Sequence, residues 1–223
     1  MMFGAFYYVA QYLQLVLGLT PWQAGLWTVP SSIGFIVTTL LLPLVTRRLA
    51  PFTTIATGLA IASVGFAVLS LVDGADGLLA VVAGPTIFAL GFPLVFILTT
   101  DLVVGSAPPE RAGAASAISE TAVELGGALG IALLGSIGTV VYRGKMAGAG
   151  LTGVPAESLE TARATLGGAV AVAEQVPAGL GAALLGPARE AFAQSLSTVA
   201  AISVVIVLAT AAVNVALQRR SGR

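Results

Sequence analysis

The sequence predicts an all-α membrane protein of six transmembrane helices, and three observations lead there. Of 223 residues, 57% are hydrophobic and 9% charged, with a mean hydropathy of +0.99. A soluble domain is about 45–50% apolar and about 25% charged, and disorder needs low hydrophobicity with high charge. Second, the apolar residues come in runs close to the roughly 20 that cross a bilayer as a helix. Third, no run alternates apolar with polar, so a membrane β-barrel is a poor fit.

The first span covers residues 1–17. It opens at Met1 with no charged region before its apolar run, so no signal peptide is read there. A helix that starts on its own Met has no flank to anchor it, which suggests the cut end of a longer chain. The uncharged turn Leu19-Thr20-Pro21-Trp22-Gln23 follows. Pro21 suits a helix start, and Trp22 and Trp27 suit a membrane interface. The second span, 24–46, ends at Arg47 and Arg48. The third, 53–72, ends in the acidic turn Asp73-Gly74-Ala75-Asp76-Gly77. The fourth, 78–100, is interrupted by Gly84-Pro85 and Gly91-Phe92-Pro93, where proline should kink a helix. Asp101, at its end, suits a cap. Ser106-Ala107-Pro108-Pro109-Glu110-Arg111 breaks the chain before the fifth span, 112–142. A long connection, 143–193, precedes the sixth span, 194–217. Leu159, Ala162, Leu166 and Val170 share a helical face within that connection, which reads as amphipathic helices on the membrane surface.

Arginine placement sets the expected orientation. Arg47, Arg48, Arg111, Arg219, Arg220 and Arg223 fall on one side, and the first and third loops hold no Lys or Arg. The positive-inside rule then makes the C-terminus cytoplasmic and the long connection external. The domain reading is 1–142 for five spans, 143–193 for the external loop and 194–223 for the last span with its basic tail.

Charge and composition also exclude functions. Ten basic residues balance ten acidic ones, too little positive charge to track a nucleic-acid backbone. His and Cys are absent, which removes Ser-His and Cys-His catalysis and thiolate or imidazole metal sites. No Walker A motif occurs, and Gly135-Ser136-Ile137-Gly138 has no His to serve it as a nucleophile elbow. The expectation is no enzyme, no cofactor and no metal.

Candidate functional residues are those that are costly inside a bilayer. Glu120 and Glu124 lie inside the fifth span, about 12 and 18 Å along a helix from Ala112. An ionisable group there costs about 2.5–3.5 kcal/mol on insertion scales, so it is a functional candidate. Their i, i+4 spacing puts both on one face, and two neighbouring carboxylates in low dielectric disfavour double ionisation. Such a pair can exchange a proton for a cation. The structural alternative is a protonated pair hydrogen-bonded to another helix. Gly126 and Gly130 form a GxxxG in the same span, suited to close helix packing. In the first span, Tyr7, Gln11 and Gln14 share a face. A ring with amides suits a lipophilic cation, and interhelical hydrogen bonding by the Gln residues is the alternative.

These residues resemble a known family. SAPPERAGAASAISETAVELGGALGIALLGSIGTVVYR at 106–143 resembles the penultimate helix of the fourteen-helix drug:proton antiporters, the EmrB/QacA type of the major facilitator superfamily. YLQLVLGLTPWQAGLWTVP at 12–30 resembles the start of the C-terminal half of multidrug transporters. LLPLVTRRLAP at 41–51 resembles the superfamily's cytoplasmic Arg-containing loop. The resemblance implies half of a major facilitator fold, built as two three-helix inverted repeats, and export of lipophilic or cationic compounds in exchange for protons. It implies coupling and cation recognition by Glu120 and Glu124, and a loop or gate role for Arg47 and Arg48. The expected partners are a small lipophilic or cationic substrate, protons, membrane lipid, and a missing N-terminal half or a second half-transporter. A non-transporting fragment or assembly partner is the alternative.

Overall fold

The computed structural model describes residues 2–74, 76–149 and 153–221; Met1 and Arg223 lie outside it. The described residues are helical with no strand among them. α1 (Met2–Gln11) runs into a π-helical turn (Tyr12–Val16). There follow α2 (Pro21–Thr46), α3 (Pro51–Leu69), α4 (Leu78–Gly105), a 3₁₀ turn (Pro109–Arg111), α5 (Ala112–Gly148), α6 (Ala156–Ala164), α7 (Leu166–Ala173) and α8 (Ala178–Ser221).

Among the described residues, five helices are long and apolar enough to cross a membrane: α2, α3, α4, α5 with its preceding turn, and α8. The first expected span is helical but shorter. α1 holds 10 residues and its π turn 5, about 22 Å of rise against a hydrocarbon core of about 30 Å.

Local chemistry sets the helix ends. Thr20 and Gln23 form a capping box at the start of α2, with Pro21 at the first helical position, which satisfies two of the donors a helix start leaves open. α3 also starts on proline, Pro51. After the π turn the chain reverses through Gly18 at φ 69°, a left-handed conformation that glycine adopts without strain. α4 continues through Pro85 and Pro93 as one helix, and α2 does so through Pro30 and Pro43. The expected interruptions are absorbed within helices.

α3 and α4 form the antiparallel centre of the bundle. Half of the apolar stretch of each is buried, against 17% for α5 and 22% for α2 and α8. Two glycine crossings bring α3 and α4 together. A Cβ on Gly58 would sit 2.7 Å from the Gly91 carbonyl, and one on Gly65 2.7 Å from the Gly84 carbonyl. The pairs are seven residues apart on each helix, two turns in register, and small residues of this kind let helix backbones approach in a membrane.

α8 lies along α3 and is held at both ends of it. Ser197 Oγ donates to the Ser70 carbonyl at 2.6 Å, and Asn214 Nδ2 donates to the Phe52 carbonyl at 2.9 Å. The two bonds are about 25 Å apart along α8, so they bracket an apolar segment close to a bilayer core in length.

The helices outrun the spans read from apolarity. α5 continues to Gly148 rather than 142, and α8 begins at Ala178 rather than 194. Apolarity marks depth in a membrane, and a helix keeps its backbone hydrogen bonds past that depth. Arg143, Lys145, Arg189 and Glu190 therefore sit on helices, not in a loop. The connection folds as α6 and α7 against α5 and α8. Its buried face is Ala162, Leu166, Ala169 and Val172, with Leu159 and Val170 half-buried. The expected face drifts because Thr165 is extended (φ −154°, ψ 157°) and restarts the helix, its Oγ1 accepting from the Gly168 N–H.

Candidate functional site

α1 and α5 run parallel and build a seam. Phe3 meets Gly127, Gly4 meets Gly130, Ile131 and Leu134, and Tyr8 fits over Gly138, where any Cβ would collide with its hydroxyl. The Tyr8 hydroxyl donates toward the Gly135 carbonyl at 3.5 Å. Above this contact a cleft of about 560 Å³ opens between α1, α5 and α8, with Tyr7, Gln11, Ser136 and Thr139 on its walls and Thr165 at its edge. Its size is in the range that takes a drug-sized ligand.

Glu120 and Glu124 are on the line of this seam. Positions 120, 124, 127, 131, 134 and 138 of α5 are spaced alternately four and three apart, one continuous stripe of a helix. Its second part packs on α1. Its first part, with both carboxylates, is exposed, and neither acid has a hydrogen-bond or ion-pair partner among the described residues. Glu124 stands about 10 Å along the helix from Ile131 at the cleft wall. The opposite stripe of α5 carries Ile118, Leu125, Leu129, Leu133 and Val140, all exposed and all aliphatic. One face of α5 is therefore suited to hydrocarbon, and the acids are on the other.

The remaining sequence-predicted residues fall in three places. Tyr7 and Gln11 line the cleft, with Tyr7 57% exposed. Gln14 is one turn further along, in the π turn, and its Nε2 donates to the Ala10 carbonyl at 3.3 Å. Arg47 and Arg48 are exposed in the turn that follows α2. Of the expected glycine pair, Gly130 touches Gly4, whereas Gly126 faces open space. The close contacts run through Gly127, Gly130 and Gly138, so Gly130 takes part in them and Gly126 does not.

Sequence reading missed a second group. Tyr12 is fully buried, donates to the Gly74 carbonyl at 2.6 Å and accepts from the Gly77 N–H at 3.1 Å, which ties the π turn to the α3–α4 loop. Phe88, Phe92 and Phe96 form a ring ladder on α4, with centroid spacings of 5.7 and 5.4 Å. Their i, i+4, i+8 spacing was the available signal.

Comparison with known proteins places this architecture. A family model described as the Major Facilitator Superfamily matches residues 1–131. Multidrug efflux pump LfrA of Mycolicibacterium smegmatis is 39% identical over 211 residues, covering 94% of this chain and 41% of LfrA. Methyl viologen resistance protein SmvA of Salmonella typhimurium is 32% identical over 196 residues, 85% of this chain and 38% of SmvA. The tetracenomycin C resistance and export protein of Streptomyces glaucescens is 30% identical over 132 residues, 59% of this chain and 24% of that protein. The chain spans about two-fifths of the length of LfrA and SmvA. With five helices of membrane-crossing length and a family match over more than half its residues, this chain is an integral membrane protein and belongs to the Major Facilitator Superfamily.

Proposed function

We propose that this chain is one half of a proton-coupled multidrug exporter of the fourteen-helix type, acting in the cell membrane with its C-terminus in the cytoplasm. The observation that carries the reading is the continuity of one α5 stripe from Glu120 and Glu124 to the cleft beside Tyr7 and Gln11. A carboxylate on a lipid-facing stripe would be costly; these two lie opposite the aliphatic stripe. Two carboxylates four residues apart on one helix face offer neighbouring sites for a proton and for a cation. Tyr7 offers a ring face to that cation, and Gln11 offers an amide. Gln14 extends the same face of the first helix. Arg47 and Arg48 anchor the turn after α2 on the cytoplasmic side, in keeping with the positive-inside rule.

Alternating access moves one half of such a transporter against the other around a midplane site. The partner is therefore a second half, supplied by a longer chain or by a separate half-transporter. The relatives named for multidrug efflux, methyl viologen resistance and tetracenomycin C export support lipophilic and cationic compounds as substrates. Protons and membrane lipid complete the set of partners.

The test is uptake of a dicationic dye into inverted membrane vesicles containing the protein at its natural length. An imposed pH gradient should drive uptake, and Glu124→Gln should abolish that dependence while leaving the protein in the membrane. Unchanged gradient-driven uptake in both Glu120→Gln and Glu124→Gln would overturn the assignment.

A further inference from the structure

A second cleft, of about 400 Å³, opens where α3, α4 and α8 meet, at the end of the bundle that carries the Arg47–Arg48 turn. No residue of α1 or α5 lines it, so it is separate from the cleft beside Tyr7 and Gln11. Ile55 and Leu59 of α3 are its buried floor. Leu102, Val213 and Leu217 stand along its rim, 39%, 59% and 50% exposed. The lining runs from Phe52 to Leu59 on α3 and from Val95 to Ser106 on α4, about 10 and 16 Å of helix. One leaflet of a bilayer offers about 15 Å of hydrocarbon.

The walls suit hydrocarbon. No lining residue is charged. The polar ones have turned their protons back to the chain. Ser106 Oγ donates to the Val103 carbonyl at 2.8 Å, Thr210 Oγ1 to the Ile206 carbonyl at 2.9 Å, and Asn214 Nδ2 to the Phe52 carbonyl at 2.9 Å. Gln218 Nε2 donates to Thr53 Oγ1 at 3.4 Å, so Asn214 and Gln218 together fasten α8 to the start of α3 at the mouth of the cleft.

The mouth is basic. Arg219 lies about 7.5 Å along α8 from Asn214, and the headgroup layer extends about 5–8 Å beyond the hydrocarbon on each side. Arg48 stands four residues before Phe52, in the turn ahead of α3. Both are exposed, and neither has a side-chain hydrogen bond or ion pair among the described residues. No side chain caps α3 at Ala50, so the positive end of that helix dipole is open at the same mouth. The nearest acid in sequence, Asp101, is placed on the other side of α4 from Thr99, Leu102 and Ser106.

We propose that the α3–α4–α8 cleft holds one anionic phospholipid of the phosphatidylglycerol type, an acyl chain lying on Ile55 and Leu59 and the phosphate between Arg48 and Arg219. The chain is an integral membrane protein, so lipid is what meets a cleft open along its rim. Two cations with no acid beside them favour a headgroup of net negative charge, because the ammonium of a zwitterionic lipid would find no partner there. The inference rests on the lipid named in the proposed function and gives it a place and a headgroup chemistry; it does not depend on export.

The test is native mass spectrometry of the protein at its natural length, released from micelles containing phosphatidylglycerol or phosphatidylcholine. Wild type should retain one phosphatidylglycerol more tightly than any phosphatidylcholine. Val213→Trp fills the cleft from its rim and should lose that lipid. Val103→Trp, on the α4 wall, should do the same and covers the case in which Val213→Trp does not fold. Leu208→Trp, exposed on the other side of α8, should retain it. Arg48→Gln and Arg219→Gln should each weaken phosphatidylglycerol about fivefold and leave phosphatidylcholine unchanged. Equal retention of the two lipids by wild type, or equal loss in Leu208→Trp and Val213→Trp, overturns the site. Either of those results with gradient-driven dye uptake intact leaves the exporter reading standing. The expected lipid pattern without uptake overturns that reading and supports the site.

Discussion

Arg189 of α8 donates its Nε hydrogen bond to the Leu15 carbonyl at 3.1 Å, joining residues 174 positions apart. Leu15 lies in the π turn that ends the first helix, where carbonyls lack intrahelical partners and the helix dipole is negative. A half-buried guanidinium there satisfies an acceptor and opposes that dipole at once.

Removing the group should therefore loosen the end of the first helix. Arg189→Met keeps the apolar stem of the side chain and should cost about 1.5–3 kcal/mol, the range of a hydrogen bond to a charged group. Arg189→Lys keeps the charge and should recover part of that. Denaturant titration in detergent micelles is the measurement. Equal stability of wild type and Arg189→Met would show that the contact holds nothing.

The α3–α4 glycine crossings make a sharper prediction. Gly58→Ala puts a methyl against the Gly91 carbonyl, and Gly65→Ala puts one against backbone atoms of Gly84 and Phe88. Backbone cannot yield as a side chain can, so each change should cost about 1–3 kcal/mol by overpacking. Gly113→Ala and Gly126→Ala meet no atom within 4 Å and should be neutral or slightly stabilising, since alanine is the better helix former. Melting temperatures of the four variants in one detergent decide it; a loss at Gly126 equal to that at Gly58 would contradict the register.

Tyr12 holds the first helix to the α3–α4 loop through one donated and one accepted hydrogen bond. Tyr12→Phe keeps the ring and removes both. The Gly77 N–H is then left buried without its partner, and the expected loss is about 1–3 kcal/mol. Faster amide exchange at Gly77 in the variant is the local readout. Unchanged exchange there would mean that the loop is held by its apolar contacts, such as Val72.

Much of the fold was legible from sequence because apolar runs and turn residues act locally. Pro21 and the Arg47-Arg48 turn fall at helix ends as expected. Helix length beyond the apolar runs was not legible, because Arg189 and Glu190 end a hydrophobic window without ending a helix. The glycine register was legible at Gly130 but not at Gly126, for a related reason. Gly126 and Gly130 fit a motif, but which face of α5 meets α1 depends on Tyr8 filling the space over Gly138, and that pairing spans far-separated residues. The acids and Tyr7 with Gln11 were each visible as local patterns; their shared stripe emerges only once α1 is laid along α5.

That stripe can be mapped directly, because these 223 residues include no Cys and an introduced thiol is the sole target among them. A water-soluble maleimide reacts with thiolates that water reaches. Glu120→Cys and Glu124→Cys should label, since nothing among the described residues covers either position. Leu134→Cys should not, being 3% exposed against α1. Leu125→Cys, Leu129→Cys and Leu133→Cys are exposed in the chain but belong to the aliphatic stripe; in a membrane they should resist the water-soluble reagent and react with a membrane-permeant one. Labelling should thus follow the face of the helix rather than exposure within this chain. Reaction of Leu125→Cys and Leu129→Cys with the water-soluble reagent, with Glu120→Cys and Glu124→Cys silent, would reverse the two faces and remove the acids from the transport path.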